Sequence, residues 1–206
     1  MAESKIQNFN HLKIHSQYSI CEGAIKIDDL KDFSKENKLR SLALCDTTNL
    51  CGALEFAEKI SKIGTQPIIG TQINFRYSDT TGLLPLFALN QKGYKKIIEL
   101  SSSSFLKNNK LADPHLDFEE LLIKDEGVSI FSGTINGLFG QLFNKGKFNE
   151  VIDLYSKLKS KYHDRFYIEI QRHGDQNEKS FENFNLTKSL ELEIPLIATN
   201  EVFYLN

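Results

Sequence analysis

The chain has 206 residues, of which 40% are hydrophobic and 25% are charged, and its formal net charge is −2. This composition is typical of a soluble globular protein with enough residues for one domain and a full core. It excludes a global basic field that would draw the chain onto nucleic acid. No stretch reaches the roughly 18 consecutive apolar residues of a membrane span.

The cysteines Cys21, Cys45 and Cys51 are odd in number and lack the spacing of paired metal ligands. We therefore expect free thiols in a reducing compartment. The N-terminal stretch MAESKIQNFN has no apolar run, so the sequence gives no sign of a signal peptide. Together these features predict a cytoplasmic protein.

Short apolar runs alternate with amphipathic stretches along the chain. The predicted strands are residues 11–15, 41–45, 66–75, 84–89, 128–132, 165–170 and 195–199. The predicted helices are residues 27–38, 51–64, 93–105, 148–162 and 178–193, and a polar loop is predicted at 105–115. This alternation indicates a mainly parallel sheet covered by helices, and about seven such units favour a closed barrel. Residues 1–206 are predicted to form a single domain, and the end of the chain just after a predicted strand suggests truncation of a longer protein.

The first predicted strand places His11, Lys13 and His15 on one face, because side chains two apart in a strand point the same way. Two histidines on one face suggest a metal site. The lysine between them argues against one, since an ammonium group repels a dication and has no lone pair to donate.

Polar residues follow the ends of most predicted strands, where parallel α/β folds gather their chemistry. They are Ser16, Glu22, Asp46, Thr47, Asn49, Gln72, Ser132, Thr134, Glu169, Gln171, His173, Thr199, Asn200 and Glu201. Several have a purely structural alternative. His15 is either a metal ligand or a satisfied core histidine, and Asp46 either lines a site or caps the helix that begins near Cys51. Glu169 and His173 either belong to a site or form a surface pair.

Five segments of the chain form a specific combination, which is HLKIHSQYSICEGAIKIDDL, SLALCDTTNLCGALEFAEKISKIGTQPIIGTQINF, GYKKIIELSS, FYIEIQRHG and IPLIATNEVFY. Together they resemble the PHP (polymerase and histidinol phosphatase) domain of the bacterial DNA polymerase III alpha subunit. The resemblance runs in order from about Asn10 to Asn206. It implies an α/β fold, a distorted (β/α)7-type barrel, in agreement with the predicted strands.

In metal-binding members, the family places up to nine ligands around a metal cluster in the barrel. Carried onto this chain, three positions keep a residue type that can ligate a metal, and these are His15, Glu22 and Glu201. Six positions do not, and these are Lys13, Thr47, Gln72, Leu83, Thr134 and Phe203. The family's histidine before the fourth strand falls near Leu83. Three ligand-type residues cannot hold a cluster of two or three metal ions.

The resemblance therefore implies a degenerate metal site, with no catalytic residue and no cofactor in this domain. It implies a parent protein that is a DNA-directed DNA polymerase, with magnesium bound in downstream domains. The expected partners are the rest of the alpha subunit and a proofreading exonuclease subunit, with DNA contacted only through the parent and no membrane. The alternatives are a metal-dependent PHP phosphoesterase, a domain that still proofreads as a 3′–5′ exonuclease, or a binding module unrelated to replication.

Two structural expectations follow. A buried ammonium group needs a carboxylate partner, so the Lys13 side chain should lie within ion-pair distance of Glu22, Glu201 or Asp46. Leu83 and Phe203 should be buried where relatives hold metal, because apolar side chains there would exclude water.

Overall fold

The computed structural model describes residues 9–108, 113–123 and 127–205. Most of the N-terminal stretch 1–10 and the middle of the predicted loop 105–115 therefore lie outside the described residues.

The strands of the described residues are β1 (Lys13–Ile14), β2 (Ser41–Thr47), β3 (Gln66–Tyr77), β4 (Thr80–Ala88), β5 (Leu116–Asp117), β6 (Val128–Phe131), β7 (Phe166–Ile170), β8 (Leu196–Ala198) and β9 (Glu201–Val202). The helices are α1 (Ile27–Glu36), α2 (Ala53–Lys62), α3 (Gln91–Leu106), α4 (Glu120–Ile123), α5 (Leu138–Asn144), α6 (Phe148–Tyr162) and α7 (Glu178–Glu191), with a short 3₁₀ helix at His163–Arg165. Each predicted strand and helix has a counterpart, although the first strand is much shorter than expected.

The main sheet has the strand order β2-β3-β4-β6-β7-β8, with β5 added beside β3. β1 and β9 form a separate parallel pair, in which Lys13 is opposite Glu201. This pair lies beside β2, where the backbone N–H of Ala43 donates a hydrogen bond of 3.2 Å to the carbonyl of His11. Since β9 follows β8 after only two residues, the sheet curls round toward its own first strand. The predicted α/β class and distorted barrel are confirmed.

The prediction of a mainly parallel sheet is wrong around β4. This strand runs antiparallel to both β3 and β6. The reason is the connection from β3 to β4, which consists of Ser78 and Asp79 and is far too short for the crossover that parallel strands need. Ser78 has a φ of 55°, as tight hairpin turns require.

The helices cover the outer face of the sheet because their apolar residues recur at helical spacing. In α6, the residues Val151, Leu154, Tyr155, Leu158 and Tyr162 recur every three or four positions, and all five are buried. They pack against outward-facing side chains of β4, β6 and β7. Helices α1 and α2 bury a second apolar cluster against Leu42 and Leu44 of β2.

The inner face of the barrel has two layers. The lower layer consists of Ala43, Cys45, Phe87 and Phe131, which pack together with Leu12, Ile68, Tyr167 and Ile197. The upper layer lies further toward the carboxyl ends of the parallel strands, since residues two apart share a face. It consists of Lys13, His15, Gln72, Glu169, Gln171, Thr199 and Glu201.

Candidate functional site

A cavity of about 180 Å³ opens above the upper layer. Its walls are His15, Glu22, Thr47, Gln72, Leu83, Thr134, Asn136, Gly137, Glu201 and Phe203. These residues come from distant parts of the chain and include every family position named from the sequence except Lys13. The fold therefore brings the sequence-predicted positions together in one place.

Lys13 lies in the polar layer with only 1% of its side chain exposed. Its Nζ is 3.2 Å from Oε1 of Glu169 and 3.2 Å from Oε1 of Glu201. Burial alone would lower the pKa of Lys13, but the charges of Glu169 and Glu201 outweigh it and hold that pKa above its ordinary value. The prediction of a carboxylate partner is confirmed for Glu201.

Glu169 is the second carboxylate of the ion pair, and the sequence analysis did not identify it as a partner of Lys13. It is buried, so the surface-pair alternative is wrong. Its Oε1 accepts hydrogen bonds from Nε2 of Gln171, at 2.9 Å, and from the hydroxyl of Thr199. His173 lies apart at the exposed rim, with Nε2 at 2.7 Å from Oδ1 of Asn200.

His15 is fully buried, and both of its ring nitrogens have polar neighbours. Nε2 is 3.2 Å from Nε2 of Gln72 and 3.4 Å from Oε1 of Glu201, while Nδ1 is 3.3 Å from the hydroxyl of Ser19. The ring stacks on Phe203 with centroids 4.4 Å apart. His15 thus has the contacts of a satisfied core histidine at the wall of the cavity.

Glu201 connects the ion pair to the cavity. Gln72 donates a hydrogen bond of 2.6 Å from Nε2 to Oε1 of Glu201. Burial would raise the pKa of Glu201, but the hydrogen bond from His15, the charge of Lys13 and the hydrogen bond from Gln72 together lower it to about 2. This carboxylate is therefore held in its ionised form at neutral pH.

Asp46 does not cap a helix, so that alternative is wrong. Its Oδ1 accepts hydrogen bonds of 2.6 Å from the backbone N–H of Ser16 and 2.8 Å from the hydroxyl of Ser19. These bonds fasten the loop after β1 to the end of β2. The local turn before α2 is instead held by Asn49, whose Oδ1 accepts a hydrogen bond of 3.0 Å from the backbone N–H of Cys51.

The remaining family positions line the cavity and are not among the ion-pair partners of Lys13, which are Glu169 and Glu201. Glu22 lies at the exposed edge and accepts a hydrogen bond of 2.6 Å from the hydroxyl of Thr47. Leu83 and Phe203 are only partly buried, so the prediction that both are buried is wrong, although neither side chain is fully exposed. Leu83 also lies inside β4, opposite Asn74, rather than before a strand. Both residues form part of the cavity wall.

Within residues 9–108, 113–123 and 127–205, no group of three or more histidine, cysteine, aspartate and glutamate side chains is placed to hold a metal ion. In the same part of the chain, no helix has the length and apolar character needed to cross a membrane. The cysteines Cys21, Cys45 and Cys51 are free thiols, as the sequence analysis expected.

A family profile for the PHP domain matches residues 11–173. The DNA polymerase III subunit alpha of Caulobacter vibrioides is 33% identical over 213 residues, which cover 99% of this chain and 18% of that protein. The protein of the same name from Rickettsia felis is 36% identical over 197 residues, which cover 95% of this chain and 16% of that protein. The chain thus spans less than a fifth of the length of the curated relatives it matches.

Two solved structures with a similar fold share little sequence with this chain. A putative metal-dependent phosphoesterase from Bifidobacterium adolescentis has a TM-score of 0.58 at 12% identity, covering 95% of this chain and 88% of that one. An amidohydrolase from Chromobacterium violaceum has a TM-score of 0.59 at 10% identity, covering 94% and 87%. At these identities the likeness concerns the fold alone.

Proposed function

The chain belongs to the PHP domain family, and from this premise we propose that it is a structural PHP domain in which a buried lysine replaces the metal cluster. The observation that carries the proposal is the position of Lys13, whose Nζ lies 3.2 Å from both Glu169 and Glu201. A metal ion in a protein draws carboxylates together by its positive charge. Here an ammonium group from the chain itself does the same.

The side chains around the cavity do not fit a cluster of two or three metal ions. Glu201 is engaged by Lys13 and Gln72, and a dication beside it would be repelled by the ammonium group. His15 is stacked on Phe203, and Glu22 is engaged by Thr47. A hydrolytic cluster needs several anionic or imidazole ligands on each metal and an open position for water.

We further propose that this domain is part of a DNA polymerase III alpha subunit, the name that its curated relatives carry. The parent protein would then be a DNA-directed DNA polymerase of the cytoplasm, with magnesium bound outside residues 1–206. The role of the domain itself is to brace the polymerase and to provide a docking surface for a separate proofreading exonuclease subunit. DNA is contacted only through the parent protein.

The test is the metal content of the chain after purification without chelators, measured by inductively coupled plasma mass spectrometry. We expect no stoichiometric zinc, manganese or iron. The same sample should release no phosphate from nucleotides or phosphomonoesters and should not shorten a 3′ DNA end, even with added manganese. About two or more metal ions per chain would favour the alternative of a metal-dependent phosphoesterase or exonuclease.

A matched pair of variants separates true activity from a contaminating enzyme. Turnover that disappears in His15→Ala or Glu201→Ala would contradict the structural role. Turnover that is unchanged in both variants would be assigned to a contaminant, because both residues line the cavity in which any reaction of this domain would take place.

A further inference from the structure

A second, much smaller cavity is lined by residues of β7 and α7, among them Glu169. It has a volume of about 10 Å³ and is lined by Glu169, Gln171 and Asn185, among others. Each of these three side chains is more than nine-tenths buried. Of the family positions, only Thr134 lies in its wall, and Thr134 also lines the larger cavity.

Three polar atoms of these side chains have no hydrogen-bond partner within the described part of the chain. They are Oε2 of Glu169, Oε1 of Gln171 and Nδ2 of Asn185. Buried polar atoms are almost always hydrogen-bonded, because leaving one unpaired forfeits its interaction with water. Three such atoms around one cavity therefore indicate a ligand that pairs with all of them.

In each of these three side chains, the other polar atom of the carboxylate or amide already has a partner. These partners determine which atom of each group is left without one. Oε1 of Glu169 is paired with Lys13, and Nε2 of Gln171 donates to Oε1 of Glu169 at 2.9 Å. Turning the Gln171 amide over would place its carbonyl oxygen against that carboxylate. Oδ1 of Asn185 accepts a hydrogen bond of 3.0 Å from the hydroxyl of Tyr155.

The cavity thus presents two acceptors and one donor. A water molecule is the complement, because it can donate two hydrogen bonds and accept the third. The cavity volume of about 10 Å³ also fits one water molecule, since a site for one water needs about 10–15 Å³ in which the centre of the molecule can lie. A metal cation or an ammonium ion cannot accept a hydrogen bond from the N–H of Asn185, and its positive charge would repel that group.

The charges of the lining carboxylates also favour a neutral ligand. Glu169 is already paired with Lys13. Glu182 forms an ion pair of 2.7 Å with Arg172, and Glu178 accepts hydrogen bonds of 2.9 Å and 2.7 Å from the backbone N–H groups of His173 and Gly174. Each carboxylate in the wall therefore has a positive or N–H partner of its own.

We propose that this cavity is a binding site for one water molecule, which bridges Oε2 of Glu169, Oε1 of Gln171 and Nδ2 of Asn185. The water holds Glu169 in the orientation that directs its other oxygen at Lys13. It also ties helix α7 to the polar layer inside the barrel. The site is independent of the proposed loss of the metal cluster.

The first test is a crystal structure of the 206-residue chain at a resolution that shows ordered water, with a second crystal soaked in a thallium salt. We expect a single peak at hydrogen-bond distance from all three atoms, and no anomalous thallium signal there. Empty density would overturn the proposal. A thallium peak would also overturn it, since it would show a monovalent cation with the Asn185 amide turned over.

The second test is made in solution by nuclear magnetic resonance, as a water-to-protein Overhauser effect on the side-chain amide protons of Asn185. We expect the effect to have the sign of a long-lived water. The matched control is Tyr155→Phe, which removes the neighbouring hydroxyl as a source of exchanging protons. The effect should persist in that variant, and its absence from the wild-type chain would overturn the proposal.

Discussion

The two layers inside the barrel share strands β3 and β7 but are held together by different forces. In the lower layer, Phe87 and Phe131 pack with ring centroids 4.7 Å apart, and no charge is present among its core residues. In the upper layer, one ammonium group faces two carboxylates at 3.2 Å. The lower layer is stabilised by close packing of apolar side chains, whereas the upper layer depends on the pairing of one positive charge with two negative charges.

This difference predicts how each layer responds to change. A buried ion pair adds little net stability compared with well-packed apolar side chains, because desolvation cancels much of the attraction. Removing one partner is costly, since the other charge stays buried without compensation. The upper layer should therefore be sensitive to charge and pH, and the lower layer to volume alone.

The largest effect is expected for Lys13→Met, which removes the charge and keeps most of the side-chain volume. The free energy of unfolding at pH 7 should fall by about 3–5 kcal/mol, because Glu169 and Glu201 are left facing each other without a cation. The loss should shrink as the pH falls from 4.5 toward 2, because the stabilising contribution of the Glu201 carboxylate in the wild-type chain is itself lost over that range. Urea unfolding followed by circular dichroism between pH 3 and pH 8 measures both quantities.

The sign of this pH dependence follows from the two partners. The raised pKa of Lys13 means that its contribution is complete below 10.5 and is lost only as the pH rises through the higher, folded value. The pKa of Glu201 is lowered to about 2, so its contribution to stability is complete above pH 4.5 and is lost as the pH falls toward 2.

Lys59→Met is the control, because Lys59 also pairs with two carboxylates, Asp28 and Glu55, but at the surface. A loss as small as that of Lys59→Met would refute the role of Lys13.

Phe87→Ala tests the lower layer by removing volume without touching a charge. We expect a loss of about 3–4 kcal/mol in the free energy of unfolding, as for other buried phenylalanines. The loss should be the same at pH 4 and pH 8, in contrast to Lys13→Met. Phe105→Ala, at an exposed phenylalanine, is the control and should change stability by less than about 0.5 kcal/mol. A strong pH dependence for Phe87→Ala would mean that the two layers are not separable.

Phe203→Ala lies between the two cases, because this ring stacks on His15 at the wall of the cavity and is only partly buried. We expect a loss of about 1–2 kcal/mol, roughly half of what a fully buried ring contributes. The same urea titration measures it. A loss as large as that of Phe87→Ala would place Phe203 in the core of the folded chain in solution.

The smallest effect is expected for the metal content of Lys13→His. This substitution restores one ligand type of the family pattern, but Thr47, Gln72, Leu83, Thr134 and Phe203 remain. Zinc titration by isothermal calorimetry should show no tight binding in the variant or in the wild-type chain. Stoichiometric zinc in the variant alone would show that Lys13 is the only obstacle to a metal site.

The sequence predicted the elements well where hydrophobic periodicity is strong. Helix α6 matches the predicted range 148–162, and β3 begins at the predicted residue Gln66. The direction of β4 was missed because periodicity gives no strand direction. A signal was present nonetheless, since YSDTTG has the composition of a tight turn between two strands.

The site was predicted only in part, because its contacts join residues far apart in the chain. The family pattern placed Lys13 and Glu201 at one centre, but it assigned no ligand position to Glu169. The alternation of side chains in FYIEI could have identified Glu169 as a site residue. A single acid on the inward face of a buried strand needs a positively charged or hydrogen-bonding partner. Asp46 was misjudged for a similar reason, because its partners Ser16 and Ser19 approach only after the loop has folded.

The pairing of β1 with β9 has a consequence for the order in which the chain folds. Lys13 and Glu201 are opposite each other although almost the whole chain lies between them. Contacts of such long range are slow to form, since a large loop must close before any interaction rewards it. During synthesis, β1 cannot pair with β9 until the last part of the chain has been made, and the Lys13 ammonium group stays in water until then. Closure of the barrel should therefore be a late step in folding. Because β1 and β9 are parallel, a circular permutant needs a linker long enough to cross from the end of the last strand to the start of the first, and such a permutant should fold faster with the same native contacts.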